Sequence, residues 1–372
     1  MKNNITIGMD LGDRSHQVCV LDAKGKEVGS ATIGNTRQAL KRHFGRYGGA
    51  TVALEAGTQS GWVSRELEAM GCEVLIGNPR KLRAIWMNRG KSDVRDAEML
   101  ARIARFDRKL LYPIHHRGQA AQVALETIKA RDRLVRSRAD VVNHVRSVVK
   151  GMGGRIPTGS TRAFARRARE AIPGELEPAV GPLLRVIDEL SEQIRSYDRA
   201  INLLSDREYP QTERLRKVVG VGPVTSLAYV LTLEETSRFA KSRTVGPFLG
   251  LTPRRDQSGQ TDKQLPISKA GNLYLRRLLV GCAHYILGPF GPDCDLRRHG
   301  QRIAARGGKN AKRRAVVAVA RKLAVLLHRL WRGGEEYQPL RSTVAKRAAE
   351  PRSAKRTDLQ EVKRTGQTVG KS

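Results

Sequence analysis

The chain has 372 residues, with 69 Lys and Arg against 36 Asp and Glu, which gives a formal net charge of +33 at pH 7. This length suffices for two or three domains, and so large a positive excess predicts a polyanionic partner, for which nucleic acid is the usual case. No apolar run in the sequence reaches the roughly 18 residues of a transmembrane helix, and no apolar leader follows Met1. We therefore expect no membrane association and a cytoplasmic, nucleoid-associated bacterial protein. The four cysteines lack CxxC spacing, which favours isolated buried thiols over a zinc site or a disulfide framework.

The segment 5–22 predicts two strands joined by a turn. Apolar residues alternate with small or polar ones over residues 5–11, and alternation resumes over 17–21 after a turn-forming run. Asp10 stands in mid-strand between Gly8 and Gly12, which suits a place where a charged group approaches the backbone. A solvated carboxylate on an edge strand is the simpler interpretation of this one residue. The case for a site therefore depends on the other acids of the chain.

The residues that follow extend this hairpin into a predicted mixed α/β domain, residues 1–112. The expected order is strand, strand, strand, helix, strand, helix, strand, with bounds 5–11, 17–21, 27–33, 35–47, 50–56, 62–70 and 72–76. Asn35 or Thr36 is predicted to cap the first helix, and Pro79 to begin another. A break at 88–90 precedes a strongly amphipathic helix over 92–105.

Three further carboxylates stand at chemically useful places in this domain. Glu55 is at the carboxyl end of the fourth predicted strand. Asp93 and Asp96 lie three residues apart on the first turn of the helix 92–105, so they project from one face. Acidic residues at a helix N-terminus also complement the helix dipole, and that explanation suffices for either aspartate alone.

A long helical arm is predicted for residues 113–208. Apolar positions recur at helical spacing over 118–149 and again over 182–204, and a basic loop with a glycine-rich start separates the two runs. Two antiparallel helices of this length either mediate dimerisation or lie along nucleic acid, and both interpretations stay open.

The region 209–334 predicts a mainly helical C-terminal domain. Its segment 215–233 has the pattern of a helix-hairpin-helix, in which Gly220 and Gly222 let backbone N–H groups approach a phosphate. A plain helix–helix turn also uses such glycines. A polar loop carrying Ser258 follows, and on its own this loop is a typical turn.

Two more helices, over 273–286 and 311–331, complete this domain. The chain then ends in a basic, Ser/Thr-rich tail, residues 335–372, which is nearly free of large apolar residues. Such a composition cannot form a packed core and predicts disorder.

A ribonuclease-H-like sheet in the first domain would bring four acids into one site: Asp10, Glu55, Asp93 and Asp96. In that sheet the first and fourth strands are neighbours and a following helix closes over their edge, so the four carboxylates converge. Clustered carboxylates repel one another unless cations neutralise them, and oxygen ligands suit Mg²⁺ or Mn²⁺. Two such ions roughly 4 Å apart would activate the attacking oxygen and stabilise the leaving one in phosphoryl transfer.

Short motifs along the chain resemble one family of DNA-recombining enzymes. GMDLG around Asp10, LEAGTQSGW around Glu55, and KSDVRDA with Asp93 and Asp96 resemble the Asp-Glu-Asp-Asp motifs of RuvC-like DEDD transposases of the IS110 group of insertion sequences. VVGVGP, GLTP followed by QSG, and KAGN followed by LRR resemble that group's C-terminal transposase domain. KSDVRDA and GLTPRRDQSG are the most specific parts of the resemblance.

The resemblance implies a role for each matching position. Asp10, Glu55, Asp93 and Asp96 would hold two Mg²⁺ or Mn²⁺ ions, and Ser258 would be a nucleophile that joins covalently to a DNA phosphate. The expected nucleic-acid contacts are Gly220, Gly222, Lys269, Arg276 and Arg277. The resemblance also implies donor and target DNA as substrates, a guide (bridge) RNA that selects them, and dimers that pair into tetramers.

Three other functions fit parts of the sequence. An actin-like sugar kinase also begins with a strand like GMDLG, but it needs a second Asp-Gly hairpin and a glycine-rich adenosine loop, which the sequence lacks. A non-catalytic nucleic-acid-binding protein accounts for the charge and leaves the four carboxylates unexplained. A RuvC-like junction-resolving nuclease uses the same acids with metal-activated water, and it gives no role to Ser258 or to the C-terminal domain.

Overall fold

The computed structural model describes residues 4–82 and 92–341 of the chain. The chain divides into two compact units, Met1–Gly118 and Gln119–Ser372. The first unit extends a few residues beyond the expected boundary at 112, because Ile114 still pairs with Ile76 at the edge of the sheet. The expected arm and C-terminal domain share the second unit. The predicted break at 88–90 and most of the predicted disordered tail lie outside the described residues.

The described part of the first unit consists of short strands and helices. Its elements are β1 (Thr6–Leu11), β2 (Ser15–Leu21), β3 (Glu27–Gly34), α1 (Arg37–Phe44), β4 (Thr51–Glu55), α2 (Ser60–Ala69), β5 (Glu73–Gly77), α3 (Pro79–Leu82) and α4 (Asp93–Phe106). This is the predicted order. Thr36 caps α1, because its side chain accepts a hydrogen bond from the backbone N–H of Ala39 at 3.1 Å.

The five strands form one mixed sheet in the order β3-β2-β1-β4-β5. β2 is antiparallel to both β1 and β3, and β4 is parallel to both β1 and β5. The hairpins arise because short turns join consecutive antiparallel strands, whereas the parallel pairs need the crossovers that α1 and α2 provide. The sheet thus brings β1 and β4 side by side, as the convergence of acids on them requires.

The two faces of this sheet bury different helices. One face packs against α1 and α2 through a core that includes Ile7, Met9, Val52, Leu54, Phe44 and Leu67. On the other face, Ala53 of β4 packs against Leu100 and Ala104 of α4. Because side chains alternate along a strand, Gly8 and Asp10 of β1 lie on this second face.

The second unit is mainly helical. Its elements are α5 (Gln119–Gly151), α6 (Phe164–Ala171), α7 (Glu177–Arg207), α8 (Gln211–Arg216), α9 (Pro223–Leu233), α10 (Val245–Phe248), β6 (Pro253–Ser258), β7 (Thr261–Ile267), α11 (Leu273–Leu287), α12 (Asp295–Ala304) and α13 (Ala311–Gly333). The sequence did not predict α6, α12 or the β6–β7 hairpin. None of these elements is longer than ten residues, and hydrophobic periodicity is read over windows of about 11–18 residues, so the sequence signal at each of them is short.

The predicted arm consists of α5 and α7, which pack side by side and antiparallel. Arg131 pairs with Asp198 at 2.5 Å and Arg138 donates to Ser191 at 3.0 Å, so residue numbers fall along α7 as they rise along α5. The predicted start of the second helix at residue 182 is wrong, since α7 begins at Glu177. Pro182 lies inside its N-terminal part, where a missing N–H costs at most one backbone hydrogen bond.

The arm belongs to two different hydrophobic cores. The C-terminal part of α5 and the N-terminal part of α7 pack against α6 in a core that includes Val145, Phe164 and Leu184. The opposite end of the arm contributes Ile128 of α5 and Ile201 of α7 to the large core formed with α9, α11 and α13. This shared core explains why the arm and the C-terminal helices form one unit.

Two further expectations concern cysteines and membranes. All four cysteines are free and buried, as predicted. Across residues 4–82 and 92–341, none of the helices combines the length and hydrophobicity needed to cross a lipid bilayer.

Candidate active site

Asp10 and Glu55 lie at the same end of the sheet. The parallel register of β1 and β4 pairs Met9 with Leu54, so Asp10 and Glu55 are the next residues along two neighbouring strands. Both share the face covered by α4, since Glu55 is two residues beyond Ala53 and side chains alternate along a strand. Parallel pairing therefore brings two carboxylates together at the carboxyl ends of β1 and β4.

Helix α4 rests directly on β1 through a seam of small residues, Gly8, Ala97 and Ala101. A Cβ atom on Gly8 would overlap the carbonyl oxygen of Ala97 and lie 2.5 Å from the backbone nitrogen of Ala101. Both alanines are buried and stand one helical turn apart. Only glycine at position 8 therefore lets the helix come this close to the strand.

The direction of α4 places its first turn at the acidic end of the sheet. Arg105, near the C-terminus of the helix, donates to the carbonyl oxygen of Ala23 in the turn between β2 and β3. That turn lies at the end of the sheet where β1 begins. The helix therefore runs antiparallel to β1, and its N-terminal Asp93 and Asp96 lie at the end occupied by Asp10.

The four carboxylates influence one another electrostatically. Asp10 is half-buried, and its desolvation together with the negative charges of Asp93, Asp96 and Glu55 raises its pKa to about 6. The backbone N–H of Leu11 partly offsets this by favouring the charged form. The other three carboxylates at this end of the sheet therefore disfavour ionisation of Asp10.

The carboxylate groups of the four acids do not converge on one metal position in this conformation. Within residues 4–82 and 92–341, no three His, Cys, Asp or Glu side chains are grouped so that they could hold one metal ion. Asp93 is exposed and Asp96 partly exposed, so packing does not fix either side chain. The backbone assembles the four acids at one end of the sheet, and their final arrangement is left to side-chain rotation.

Ser258 lies at the tip of the β6–β7 hairpin. It is the last residue of β6 and pairs with Thr261, and Gly259, with a φ of +54°, begins the two-residue turn between them. Every residue of β6 is exposed, while Ile267 at the base of β7 packs against the core. The turn expected around Ser258 is thus the end of a projecting hairpin whose tip has no buried residue.

The two glycines of the predicted helix-hairpin-helix have different surroundings. Gly220 has a φ of +79°, and a Cβ there would lie 3.1 Å from the Tyr285 ring, so its glycine is required by backbone conformation and packing on α11. Gly222 precedes Pro223 as the N-cap of α9, and a Cβ there would have no atom within 4 Å. Of the two, only Gly222 has the open surroundings that a phosphate contact needs.

The three predicted basic contacts are also unlike one another. Lys269 is exposed and has a left-handed φ of +53°. Arg277 pairs with Asp132 and lies over the Tyr274 ring. Arg276 is 7% exposed and donates to the carbonyl oxygens of neighbouring loop residues at 2.9 and 2.8 Å, so its expected nucleic-acid contact is corrected to a structural role.

Two family models match the chain. A DEDD model of the IS110 group, described as a transposase, matches residues 7–153. A second, described as the transposase IS116/IS110/IS902 family, matches residues 212–292, and the two together cover more than half of the chain. The chain belongs to the IS110 family of insertion-sequence transposases. The activity of this family is DNA recombination.

Relatives of this IS110-family transposase match it along most of its length. The transposase for insertion sequence element IS1111A of Coxiella burnetii is 27% identical over 345 residues, 91% of this chain and 92% of the relative. A probable family 20 transposase of Pseudomonas aeruginosa is 28% identical over 344 residues, 90% of this chain and 98% of the relative. The transposase for IS1328 of Yersinia enterocolitica is 28% identical over 288 residues, 76% and 84% of the two chains.

Both matched regions of the IS110-family chain contain predicted site residues. Residues 7–153 contain the four carboxylates, and residues 212–292 contain Ser258 with the helix-hairpin-helix glycines. The contact of α4 with β1 through Gly8, Ala97 and Ala101 was not predicted from the sequence. The signal was present as Gly8 within a strand and two alanines four residues apart, but only the tertiary fold shows that they meet.

Proposed function

We propose that the first unit is a ribonuclease-H-like, RuvC-like catalytic unit for metal-dependent cleavage and rejoining of DNA strands. Asp10, Glu55, Asp93 and Asp96 are its catalytic residues. One observation carries the proposal: the parallel register of β1 and β4 and the direction of α4 bring the four acids to one end of the sheet. The strand order β3-β2-β1-β4-β5 supports the fold assignment.

The donor set fits a divalent cation. Four carboxylates offer only oxygen ligands, and the mutually repelling charges around Asp10 favour neutralisation by a hard cation such as Mg²⁺ or Mn²⁺. When bound, two such ions would activate the attacking oxygen and stabilise the leaving oxygen. Asp10 and Glu55 set the position of the site from two rigid strands. Asp93, which is exposed, and Asp96, which is partly exposed, would complete it by side-chain rotation.

We assign the attacking oxygen to Ser258. Its Oγ forms an ester bond with a DNA phosphorus while the bond from that phosphorus to one deoxyribose oxygen breaks, and the serine proton passes to the released hydroxyl. One phosphoester replaces another, so the strand can be rejoined without an external energy source. The projecting hairpin supports this role because its tip is accessible to a phosphate. A serine hydroxyl is a weak nucleophile, and divalent ions held by the four carboxylates would supply its activation when bound.

We also propose a guide RNA and a homo-oligomer as working partners. The net charge of +33 supports binding of polyanions such as RNA and DNA. Val123 of α5 and Leu203 of α7 are exposed apolar side chains near the same end of the arm, and they support association between copies of the chain. Pairs of dimers would then hold donor and target DNA together.

A covalent adduct tests the proposed function. Protein with its co-purified RNA is incubated with Mg²⁺ and end-labelled DNA carrying the insertion-sequence ends, then denatured and analysed by electrophoresis. We expect a labelled protein–DNA adduct with the wild type that disappears in Ser258→Ala. Thr261→Ala removes the hydroxyl that faces Ser258 across the hairpin, and it should keep the adduct.

The same experiment separates this mechanism from that of a junction-resolving nuclease. A nuclease that uses metal-activated water cuts DNA without an adduct and is insensitive to Ser258→Ala. Strand exchange that persists in Ser258→Ala would contradict the covalent step and leave a metal-only enzyme.

A further inference from the structure

A cleft of about 140 Å³ lies on the arm, where the chain segment before α6 folds back over α5 and α7. Its walls come from all three segments. The lining residues are Arg131, Arg138, Arg162, Ser191, Ile194, Arg195 and Asp198. None of them belongs to the motifs that resemble transposases, and the proposed strand exchange uses none of them.

The cleft concentrates positive charge. Four guanidinium groups line it, and Asp198 is the one acidic residue among the lining residues, paired with Arg131 at 2.5 Å. Like charges held this close repel one another, so a chain gains nothing from the arrangement unless an anion occupies it. Purely structural arginines are expected to be matched by carboxylates, as Arg169 of α6 is by Asp188 of α7.

Arg138 lies at the centre of this arrangement. One terminal nitrogen donates to the Ser191 hydroxyl at 3.0 Å, and that hydroxyl in turn donates to the carbonyl oxygen of Ile187 at 2.7 Å. The Nε atom of Arg138 is buried and has no hydrogen-bond partner. A buried donor without a partner is costly, so this atom marks the place where an acceptor is missing.

We propose that this arginine cleft binds one phosphodiester group of a nucleic-acid backbone. A phosphate offers the negative charge and the planar pair of oxygens that a guanidinium fork holds best. Arg162 and Arg195 are exposed at the mouth of the cleft, so a phosphate within a polymer can reach them. The cleft has room for more than one water molecule, which such a group would displace.

The test compares two substitutions that remove the same charge from the same helix. Arg138→Leu removes the central donor of the cleft, whereas Arg133→Leu removes an exposed arginine that does not line it. Thermal midpoints are measured with inorganic phosphate and with chloride at equal ionic strength. We expect phosphate to raise the midpoint of the wild type and Arg133→Leu but not that of Arg138→Leu.

Nucleic-acid binding is then measured against salt concentration, with a duplex DNA and a single-stranded RNA of unrelated sequence as separate probes. Loss of one phosphate contact should reduce the salt slope by about 0.9 for duplex DNA or about 0.7 for a single strand. The probe whose slope falls in Arg138→Leu but not in Arg133→Leu identifies the nucleic acid that the cleft binds. Arg195→Leu, at the exposed mouth, should reproduce the effect and serves if Arg138→Leu does not fold.

Equal slopes in the cleft variants and Arg133→Leu would overturn the proposal. A phosphate-dependent midpoint without a change in either slope would overturn it as well, because the cleft would then take only a small free oxyanion. No strand cleavage is measured, so this outcome is independent of the fate of Ser258 and the four carboxylates.

Discussion

The two regions proposed to carry out the chemistry are built in opposite ways. The carboxylate end of the sheet (Asp10, Glu55, Asp93 and Asp96) is positioned by neighbouring parallel strands and by a helix in direct backbone contact with one of them. The Ser258 hairpin, β6 with β7, projects from its unit, and every residue of β6 is exposed.

This difference separates what the fold determines from what a partner must determine. Buried packing fixes the backbone of the acids before any substrate binds. A two-stranded hairpin with little packing is only marginally ordered on its own, so the position of Ser258 in the reaction depends on what the hairpin contacts when DNA is bound. Substitutions should therefore affect the two regions differently, through geometry in the first and through chemistry alone in the second.

The largest expected effect comes from removing the acids. Changing Asp10, Glu55, Asp93 or Asp96 to Ala should each lower strand exchange by at least about 10³-fold, because a metal ligand contributes several kcal/mol to the transition state. A recombination assay with plasmid-borne ends measures this. The thermal midpoint of the metal-free protein should stay the same or rise, since one repelling charge is gone.

The control for these variants is Glu98→Gln. Glu98 lies on α4 like two of the acids, but it pairs with Arg102 at 2.7 Å on the helix surface. Its loss should leave strand exchange within about twofold, since exposed pairs contribute about 0.3–0.5 kcal/mol. Full activity in any two of the Ala variants would contradict the assignment of the four carboxylates.

A smaller effect is expected from disturbing the seam. Gly8→Ala places a methyl group into the backbone of α4 and should destabilise the first unit by about 1–3 kcal/mol while displacing Asp93 and Asp96. Thermal unfolding and strand exchange should both decline. Gly29→Ala in β3 is the matched control, because its Cβ would make an ordinary contact 3.8 Å from Val20. Equal stability of the two variants would show that α4 does not rest on β1.

The core of the second unit contrasts with its hairpin and should respond to acid. His328 is fully buried, and burial lowers the pKa of its imidazole. Its Nε2 atom donates a hydrogen bond to the carbonyl oxygen of Thr236, and its Nδ1 atom accepts one from the Ser242 hydroxyl. The unfolded chain therefore takes up a proton first as the pH falls below about 6.5, and stability is lost from that pH downward.

A pair of histidine variants isolates this contribution. The thermal midpoint of the wild type should fall more steeply between pH 7.5 and pH 5.5 than that of His328→Asn, with approximate pH limits set by the free histidine pKa. His284→Asn changes an exposed histidine on α11 and should keep the wild-type slope. Identical slopes in all three proteins would exclude His328 as the titrating group.

The smallest expected effect on stability is that of Ser258→Ala. The hydroxyl lies at an exposed hairpin tip, so its removal should change the free energy of unfolding by less than about 0.5 kcal/mol. Thermal unfolding measures this change. A large loss of stability would mean that the serine is packed or hydrogen-bonded and that the hairpin is not an open, projecting element.

Much of the carboxylate site was predictable because its signals are local. Alternation defined β1 and β4, and the spacing of Asp93 and Asp96 defined one turn of α4. The contact of Gly8 with α4 was not predictable, since it joins residues some ninety positions apart and leaves no periodic trace. Local patterns predict elements well and distant contacts poorly.

The second unit shows the same limit from the other side. Arg276 stands next to Arg277 in a basic stretch that predicts exposed side chains, yet Arg276 is buried. Gly250 and Gly271, both with left-handed φ, fold the surrounding loops over the helix, and carbonyl groups of those loops accept the hydrogen bonds of Arg276. Ser258 was predicted as a turn residue. The sequence did not show that the strands on either side of it, β6 and β7, pair with each other and lie mostly exposed outside the core. Burial is a property of the assembled unit.

The binding of Mn²⁺ tests the central claim most directly, because the proposed site must bind divalent cations even without DNA. A chain with a net charge of +33 repels cations in general, so a saturable site on it requires a local cluster of acids. Titration calorimetry and electron paramagnetic resonance of the whole protein should show saturable Mn²⁺ binding that is lost in Asp10→Asn and retained in Glu98→Gln. Mn²⁺ binding of equal affinity and stoichiometry in wild type and Asp10→Asn would contradict the proposed metal site.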